Sequence, residues 1–444
     1  MSAVISTAGA APSTSFREVW LVTIGHSLTH WYPATFYILL PLIGSELGLS
    51  YSQIGLVMTS QYVAGAISNI PGGMVVDTVG RKGFLLALSL FWIGFPYLLM
   101  GFAHDYWLLL VCISLVGIGN NLWHPAAIPT LANRFPERKG LVLSIHGMGG
   151  NVGDAVAPLA VGALLAFLTW REIVIMNLVP GVVIACLILA YLGTWRLVSE
   201  GPHPNPPPRA GEGINANPPP RAGEGIDANP PPRAGEGREG GKLAEYWRGL
   251  RKLLTGRAFG VLMLTCAFRS MTQSSLLTFL PVFLAREMGY SPFAVGACLF
   301  MLQAAGFTAA PIAGHLSDRM GPRRIVMSSM AMTAVVLLFM AIAGSSPAFV
   351  FFIALLGFFL YATRPVLQAW LLEATPRNMG GTGIGVMFGS QALGSSIAPA
   401  IAGLLADLYG LIAVFYFLTV TIVIANLMVL FMPAQSGRAP VRAD

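Results

Sequence analysis

Few side chains in this sequence can hold a charge or a proton, and several of them stand where charge is costly. His26, His30, His124, His146, Asp154, Arg269 and Arg364 each lie inside a run of apolar residues. In hydrocarbon such groups are expensive unless they border water or a partner, so each is a functional candidate. Their spacing groups them. His26 and His30 are four residues apart and share a helix face, as do Asn120 with His124, Arg269 with Gln273, and Arg364 with Gln368. His146, Asn151 and Asp154 fall in one run on neighbouring faces.

The chemistry open to this set is proton and anion chemistry. Unperturbed histidines titrate near physiological pH. Asp154 is the first candidate for a proton-coupling residue, and the competing reading is a structural carboxylate that satisfies His146 or a helix end. Arg269 and Arg364 stay protonated. They either pair with Asp154 or await a carboxylate, phosphate or phosphonate that suits the guanidinium fork. His26, His30 and His124 could together hold zinc, copper or nickel. No cysteine and no second carboxylate stands with them, so no metal is expected. No nucleophile with an adjacent base and no GxxxxGK[ST] phosphate loop is present, so neither an enzyme, a cofactor nor direct ATP coupling is expected.

The elements that must position these residues are membrane spans. The 444 residues are 55% hydrophobic and 10% charged, against about 25% charged in soluble domains. Mean hydropathy is +0.69. Lipid is therefore the expected solvent, and the net charge of +7 reads as cytoplasmic Lys and Arg rather than a nucleic-acid surface. A span takes about 20 apolar residues. Runs qualify near 18–43, 53–75, 84–103, 106–131, 140–168 and 172–194, then near 258–284, 293–316, 325–344, 347–371, 380–406 and 411–432. Residues 1–16 lack the basic segment of a cleavable signal. Cys112, Cys186, Cys266 and Cys298 read as isolated small hydrophobes. With the N-terminus cytoplasmic, Lys and Arg gather on that side and only Arg171 and Arg286 fall on the other. Both termini are thus expected in the cytoplasm.

Residues 196–242 are unlike the rest. NPPPRAGEG begins at Asn205, Asn217 and Asn229, a period of 12, and the segment reads as a disordered cytoplasmic linker. Residues 243–256 read as a basic amphipathic surface helix, and 435–444 as a cytoplasmic tail. The linker divides an N-terminal bundle, 1–195, from a C-terminal bundle, 257–434. The halves repeat each other: Leu40-Pro41 matches Leu280-Pro281, His124-Pro125 matches Arg364-Pro365, and Pro158 matches Pro399, at offsets of 240 or 241. Duplicated halves with a binding site between them are a transporter architecture. The fifth run carries Gly147, Gly149, Gly150 and Gly153, and the eleventh Gly380, Gly381, Gly383, Gly385, Gly389 and Gly394. Small residues permit close helix approach in lipid, and a sliding seam between the halves is expected from them.

After the second run stand Gly73, Asp77, Gly80, Arg81 and Lys82, and after the eighth Gly314, Asp318, Arg319, Gly321, Arg323 and Arg324. This resembles the G-x-x-x-D-R/K-x-G-R/K-R/K signature of the major facilitator superfamily, in the right loop of each half. Thr78 and Pro322 depart from it. The resemblance implies an all-α membrane protein: twelve transmembrane helices in two pseudo-symmetric six-helix bundles. It also implies a cytoplasmic gate at the motif and a cavity lined by the first, fourth, seventh and tenth helices. Asn121-Leu-Trp-His124-Pro125, Gly149-Gly150-Asn151-Val-Gly153 and Pro158 are similar to the fosmidomycin-resistance branch. That likeness implies proton-coupled efflux of a small anionic or zwitterionic drug or metabolite from a bacterial inner membrane. The partners implied are a small-molecule substrate, protons and the lipid bilayer, without nucleic acid and with the chain as a monomer. The alternatives are proton-coupled import of an organic anion and a non-transporting sensor or scaffold.

Overall fold

The computed structural model describes residues 16–79, 81–192, 254–375 and 380–432, together with 248 and 251. The expected linker, most of the expected surface helix, and the tail lie outside the described residues. The described elements are all helical: α1 (Phe16–Glu46), α2 (Tyr51–Thr78), α3 (Lys82–Met100), α4 (Tyr106–Arg134), α5 (Lys139–Leu164), α6 (Trp170–Met176) and α7 (Leu178–Leu192) in the first half. The second half holds α8 (Arg257–Arg286), α9 (Pro292–Met320), α10 (Pro322–Ala343), α11 (Ala348–Ala374), α12 (Gly380–Tyr409) and α13 (Ile412–Leu430). Each expected span coincides with one helix except the sixth. That one is broken at Asn177, whose Oδ1 accepts from Trp31 Nε1 at 2.9 Å and whose backbone oxygen accepts from Tyr32 at 2.9 Å. The two halves form one compact unit, and residues 198–256 fall in another, almost none of it described.

Eight of the spans are apolar enough to cross a bilayer on hydropathy alone. The remaining four, α1, α2, α5 and α8, are 31, 28, 26 and 30 residues long. Length is not what they lack. Their hydropathy is diluted by Thr, Ser, Gln, His and Gly, because these helices turn a face toward polar surroundings and toward close neighbours.

The duplication is written in the turns and the packing. Gly48 and Gly289, 241 residues apart, both take a positive φ, +61° and +66°. Only glycine does so at little cost. The Ser50 and Ser291 side chains then cap α2 and α9. Inside the first half, a Cβ on Gly153 would overlap the Ser27 carbonyl oxygen, and one on Gly117 would overlap that of Gln61. Inside the second half, Gly394 meets the Ala267 carbonyl and Gly357 that of Leu302 in the same way. These contacts bring α1 against α5, α2 against α4, α8 against α12, and α9 against α11. Such approach is how helices gain contact energy in lipid.

This corrects one expectation. Gly149, Gly150 and Gly153 face α1 of their own half, against Thr23, His26, Ser27 and His30, rather than a seam between halves. The halves meet instead along α2 with α12 and α5 with α9. That meeting closes the end of the molecule holding the α1–α2 turn. Toward the opposite end Gly147, Gly385 and Gly389 have open space where a side chain would be.

Candidate functional site

Between the halves lies a cavity of about 310 Å³. α1 supplies His30, Pro33 and Tyr37; α2 supplies Gln61 and Tyr62; α4 supplies Asn120 and α5 Asp154. From the second half come Arg269, Ser270, Gln273 and Ser274 on α8, Gln303 on α9, Arg364 on α11, and Gln391 and Ser395 on α12. The first, fourth, seventh and tenth spans all contribute, as do α2, α5, α9 and α12.

The first half places a titratable pair at the wall. His30 Nδ1 lies 3.0 Å from Asp154 Oδ2, with about a quarter of each side chain exposed. An ionised carboxylate only accepts, so the imidazole donates. Asp154 is thus paired with His30. It is paired neither with His146 nor with an arginine, the two pairings considered from sequence. Gly150 and Gly153 leave room for the pair: a Cβ at Gly150 would press on the His30 ring, and one at Gly153 on the His30 Cβ and the Ser27 carbonyl.

Behind His30 stands a stack of imidazoles. His26 is buried, and its Nδ1 lies 2.6 Å from the His146 carbonyl oxygen. A carbonyl can only accept, so that nitrogen carries hydrogen and the neutral ring offers a lone pair at Nε2. His124 Nε2 faces it at 3.1 Å and is therefore the donor. The His146 ring stacks on His26 at 4.0 Å. One nitrogen each from His26, His30 and His124 fall within 4.8 Å of one another. Two of the three, His26 and His124, are bonded to each other, and the third, His30, is bonded to Asp154.

The second half supplies fixed positive charge. Arg269 is 2% exposed; its Nη2 donates to Gln273 Oε1 at 3.0 Å, while Nε and Nη1 have no hydrogen-bond partner among the described residues. Arg364 is exposed within the cavity lining. Among the described residues neither arginine has a carboxylate within ion-pair distance. Two cations, three glutamines and three serines against one carboxylate make a surface for a small anion.

Of the residues singled out from sequence, His30, Asn120, Asp154, Arg269, Gln273 and Arg364 line the cavity. His26, His124 and His146 form the layer behind it. Asn151 is exposed and Gln368 half-buried, and neither is part of the lining. Sequence reasoning missed Tyr37, whose hydroxyl lies 2.7 Å from that of Tyr62. It also missed Gln61, Gln303 and the serines. A signal existed for one pair: Tyr62 and Gln303 are 241 residues apart and occupy equivalent wall positions.

At the motif loops, Gly321 ends α9 with φ +89°. Pro322 takes the first position of α10, where a missing N–H is harmless. The departure from the signature is thus a helix start. Asp318, Arg319 and Arg324 are exposed, and Arg323 Nη2 donates to the Leu430 carbonyl at 3.2 Å. In the first half Arg81 is exposed, whereas Lys82, read from sequence as a gate charge, is buried and donates to the Val76 carbonyl. Gly80 and the side-chain detail at Gly73 and Asp77 lie outside the described residues.

Long helices in two related halves, a polar cavity between them and a charge motif at the same turn of each half define a class of membrane transport protein. The family described as Major Facilitator Superfamily matches residues 19–310 and 262–443. The chain belongs to that superfamily; it is a membrane transporter and not an enzyme. It is similar to SauU of Cupriavidus necator, named for sulfoacetate transport, at 35% identity over 133 residues, 30% of this chain and 31% of that one. It is also similar to the fosmidomycin resistance protein of Escherichia coli, at 25% identity over 193 residues, 42% of this chain and 47% of that one. The chain thus spans less than half the length of either relative. Among solved structures it resembles a bacterial homologue of the human lysosomal transporter Spinster in its inward-facing, occupied conformation. The TM-score is 0.74 at 16% identity, over 95% of this chain and 97% of that one. At that identity the likeness concerns the fold.

Proposed function

We propose that the chain carries a small anion together with a proton, by alternating exposure of the cavity to the two sides of a bacterial inner membrane. One observation carries this reading: the arginines of one half and the His30–Asp154 pair of the other face the same cavity, and among the described residues Asp154 is the only carboxylate in its lining. A proton on Asp154 removes the negative charge that repels an incoming anion. A bound anion offsets the positive potential that opposes protonation. Each favours the other, so their coupling is positive and they move in one direction.

Exchange of substrate for protons, the efflux expected from sequence, needs the opposite sign. A zwitterion meets that condition if its anionic end sits on the arginines and its cationic end on Asp154, because proton and substrate then compete. Likeness to the fosmidomycin resistance protein supports this second reading, and likeness to a protein named for sulfoacetate transport supports the first. With both termini cytoplasmic, the open end of the cavity faces the cytoplasm.

Proteoliposomes under an imposed pH gradient separate the two, with small carboxylates, sulfonates and phosphonates as probes. Uptake into the alkaline lumen is the expected result, and expulsion from it supports exchange. Asp154→Asn is expected to abolish gradient-driven accumulation while keeping substrate counterflow. Accumulation that persists in the variant removes Asp154 from the coupling step.

A further inference from the structure

The seam between the halves at the α1–α2 end is built from one contact used four times. Gly55 of α2 meets the Pro399 carbonyl of α12, and Gly403 of α12 meets the Tyr51 carbonyl of α2. On the other side Gly296 of α9 meets the Pro158 carbonyl of α5. Gly162 of α5 meets the Pro292 carbonyl, where an added Cβ would stand 2.7 Å away. Gly55 with Gly296, Pro158 with Pro399, Gly162 with Gly403, and Tyr51 with Pro292 are each 241 residues apart. Backbone lies against backbone at all four points, and this is what shuts the cavity here.

One residue breaks the symmetry. Asp407, near the end of α12, accepts the Tyr51 N–H at Oδ1 and the Ser52 N–H at Oδ2, both at 2.8 Å. These are the first two N–H groups of α2, left without partners by helix geometry and carrying the positive end of its dipole. The next, on Gln53, is capped within its own helix by Ser50 Oγ at 3.2 Å. The position 241 before Asp407 is Ala166, and the helix start it would face opens on Pro292, which has no N–H. One seam is therefore pinned by charge and shape, and the other by shape alone. The charged groups nearby are otherwise engaged. Arg286 of α8 lies over the Tyr51 ring at 5.3 Å, and Glu46 of α1 pairs with Arg171 at 2.7 Å. Asp407 has no cation within ion-pair distance among the described residues.

We propose that Asp407 is an electrostatic latch between the halves: its carboxylate, clasping the N-terminus of α2, holds this end closed and sets how rarely it opens. The latch acts on the conformational equilibrium itself. It stands whether the cargo is an anion or a zwitterion, and whether or not Asp154 carries the proton.

Hydrogen exchange by mass spectrometry on the full chain in lipid nanodiscs tests it without substrate. A peptide covering 47–56 reports the α2–α12 seam, and one covering 290–297 reports the α5–α9 seam. Asp407→Asn is expected to raise exchange roughly tenfold or more at both, because losing hydrogen bonds to a charged acceptor shifts the equilibrium by that order. A role confined to capping α2 would change 47–56 alone. Gly403→Ala, which wedges the same seam with Asp407 intact, is expected to reproduce the rise at 290–297. Asp407→Ser is the second neutral variant. If 290–297 is unchanged in both neutral variants while Gly403→Ala accelerates it, the latch is refuted and Asp407 is only a helix cap.

Discussion

Arg269 and Arg364 differ in how far each is already committed. Arg269 is buried and partly occupied by Gln273, whereas Arg364 reaches the cavity with no acidic partner among the described residues. Arg364 is thus the more accessible of the two cations to a substrate anion entering the cavity. A hydrogen bond to a charged group contributes about 1.5–3 kcal/mol. Arg364→Ala is therefore expected to weaken anion binding at least tenfold. A thermal-shift series of the purified protein with carboxylates, sulfonates and phosphonates checks this: the stabilisation seen in the wild type should vanish in the variant. An undiminished shift would place the anion elsewhere. At this scale the sequence was informative only where physics penalises. A charge in an apolar run stands out because hydrocarbon makes it costly, so the arginines, Asp154 and His30 could be named in advance. Ser270, Ser274 and Ser395 could not, because a serine inside a span is cheap enough to be tolerated on any face.

The helices depend on small residues at a few fixed points, and the contacts tell which glycines matter. A Cβ at Gly153 would overlap the Ser27 carbonyl oxygen, a backbone atom that cannot rotate away. At Gly147, six residues earlier on α5, the same Cβ would enter open space. Overpacking a tight contact costs about 1–3 kcal/mol, while Gly to Ala in a helix otherwise gains up to about 1 kcal/mol. Gly153→Ala should therefore lower the melting temperature in detergent by several degrees, and Gly147→Ala should leave it unchanged or raise it. Equal effects would mean that α1 and α5 are not in backbone contact. Sequence identified both glycines but not their partners. Hydropathy located the helices because a span must be apolar for a set length. It cannot say which neighbour a glycine faces, so Gly149 and Gly153 read both as packing residues and as part of a seam between halves, and only the packing holds. The glycines that do form that seam, Gly55, Gly162, Gly296 and Gly403, stand apart from the glycine-rich runs. They betray themselves only through the 241-residue repeat.

For the whole molecule the question is what keeps two halves working as one. They touch directly along α2 with α12 and α5 with α9, and the cavity draws its walls from both. Residues 196–242 carry repeats that cannot build a core. A linker that only tethers must still reach. Deleting 205–237 would leave about 30 residues between Leu192 and Arg257, a reach of roughly 100 Å when extended. Shortening such a loop changes its closure entropy by well under about 1 kcal/mol. The deletion is therefore expected to keep proteoliposome flux within about twofold of wild type and the melting temperature within a few degrees. Loss of flux with an unchanged melting temperature would show that the repeated segment takes part in the transport cycle. Loss of both would show that it helps to hold the halves together.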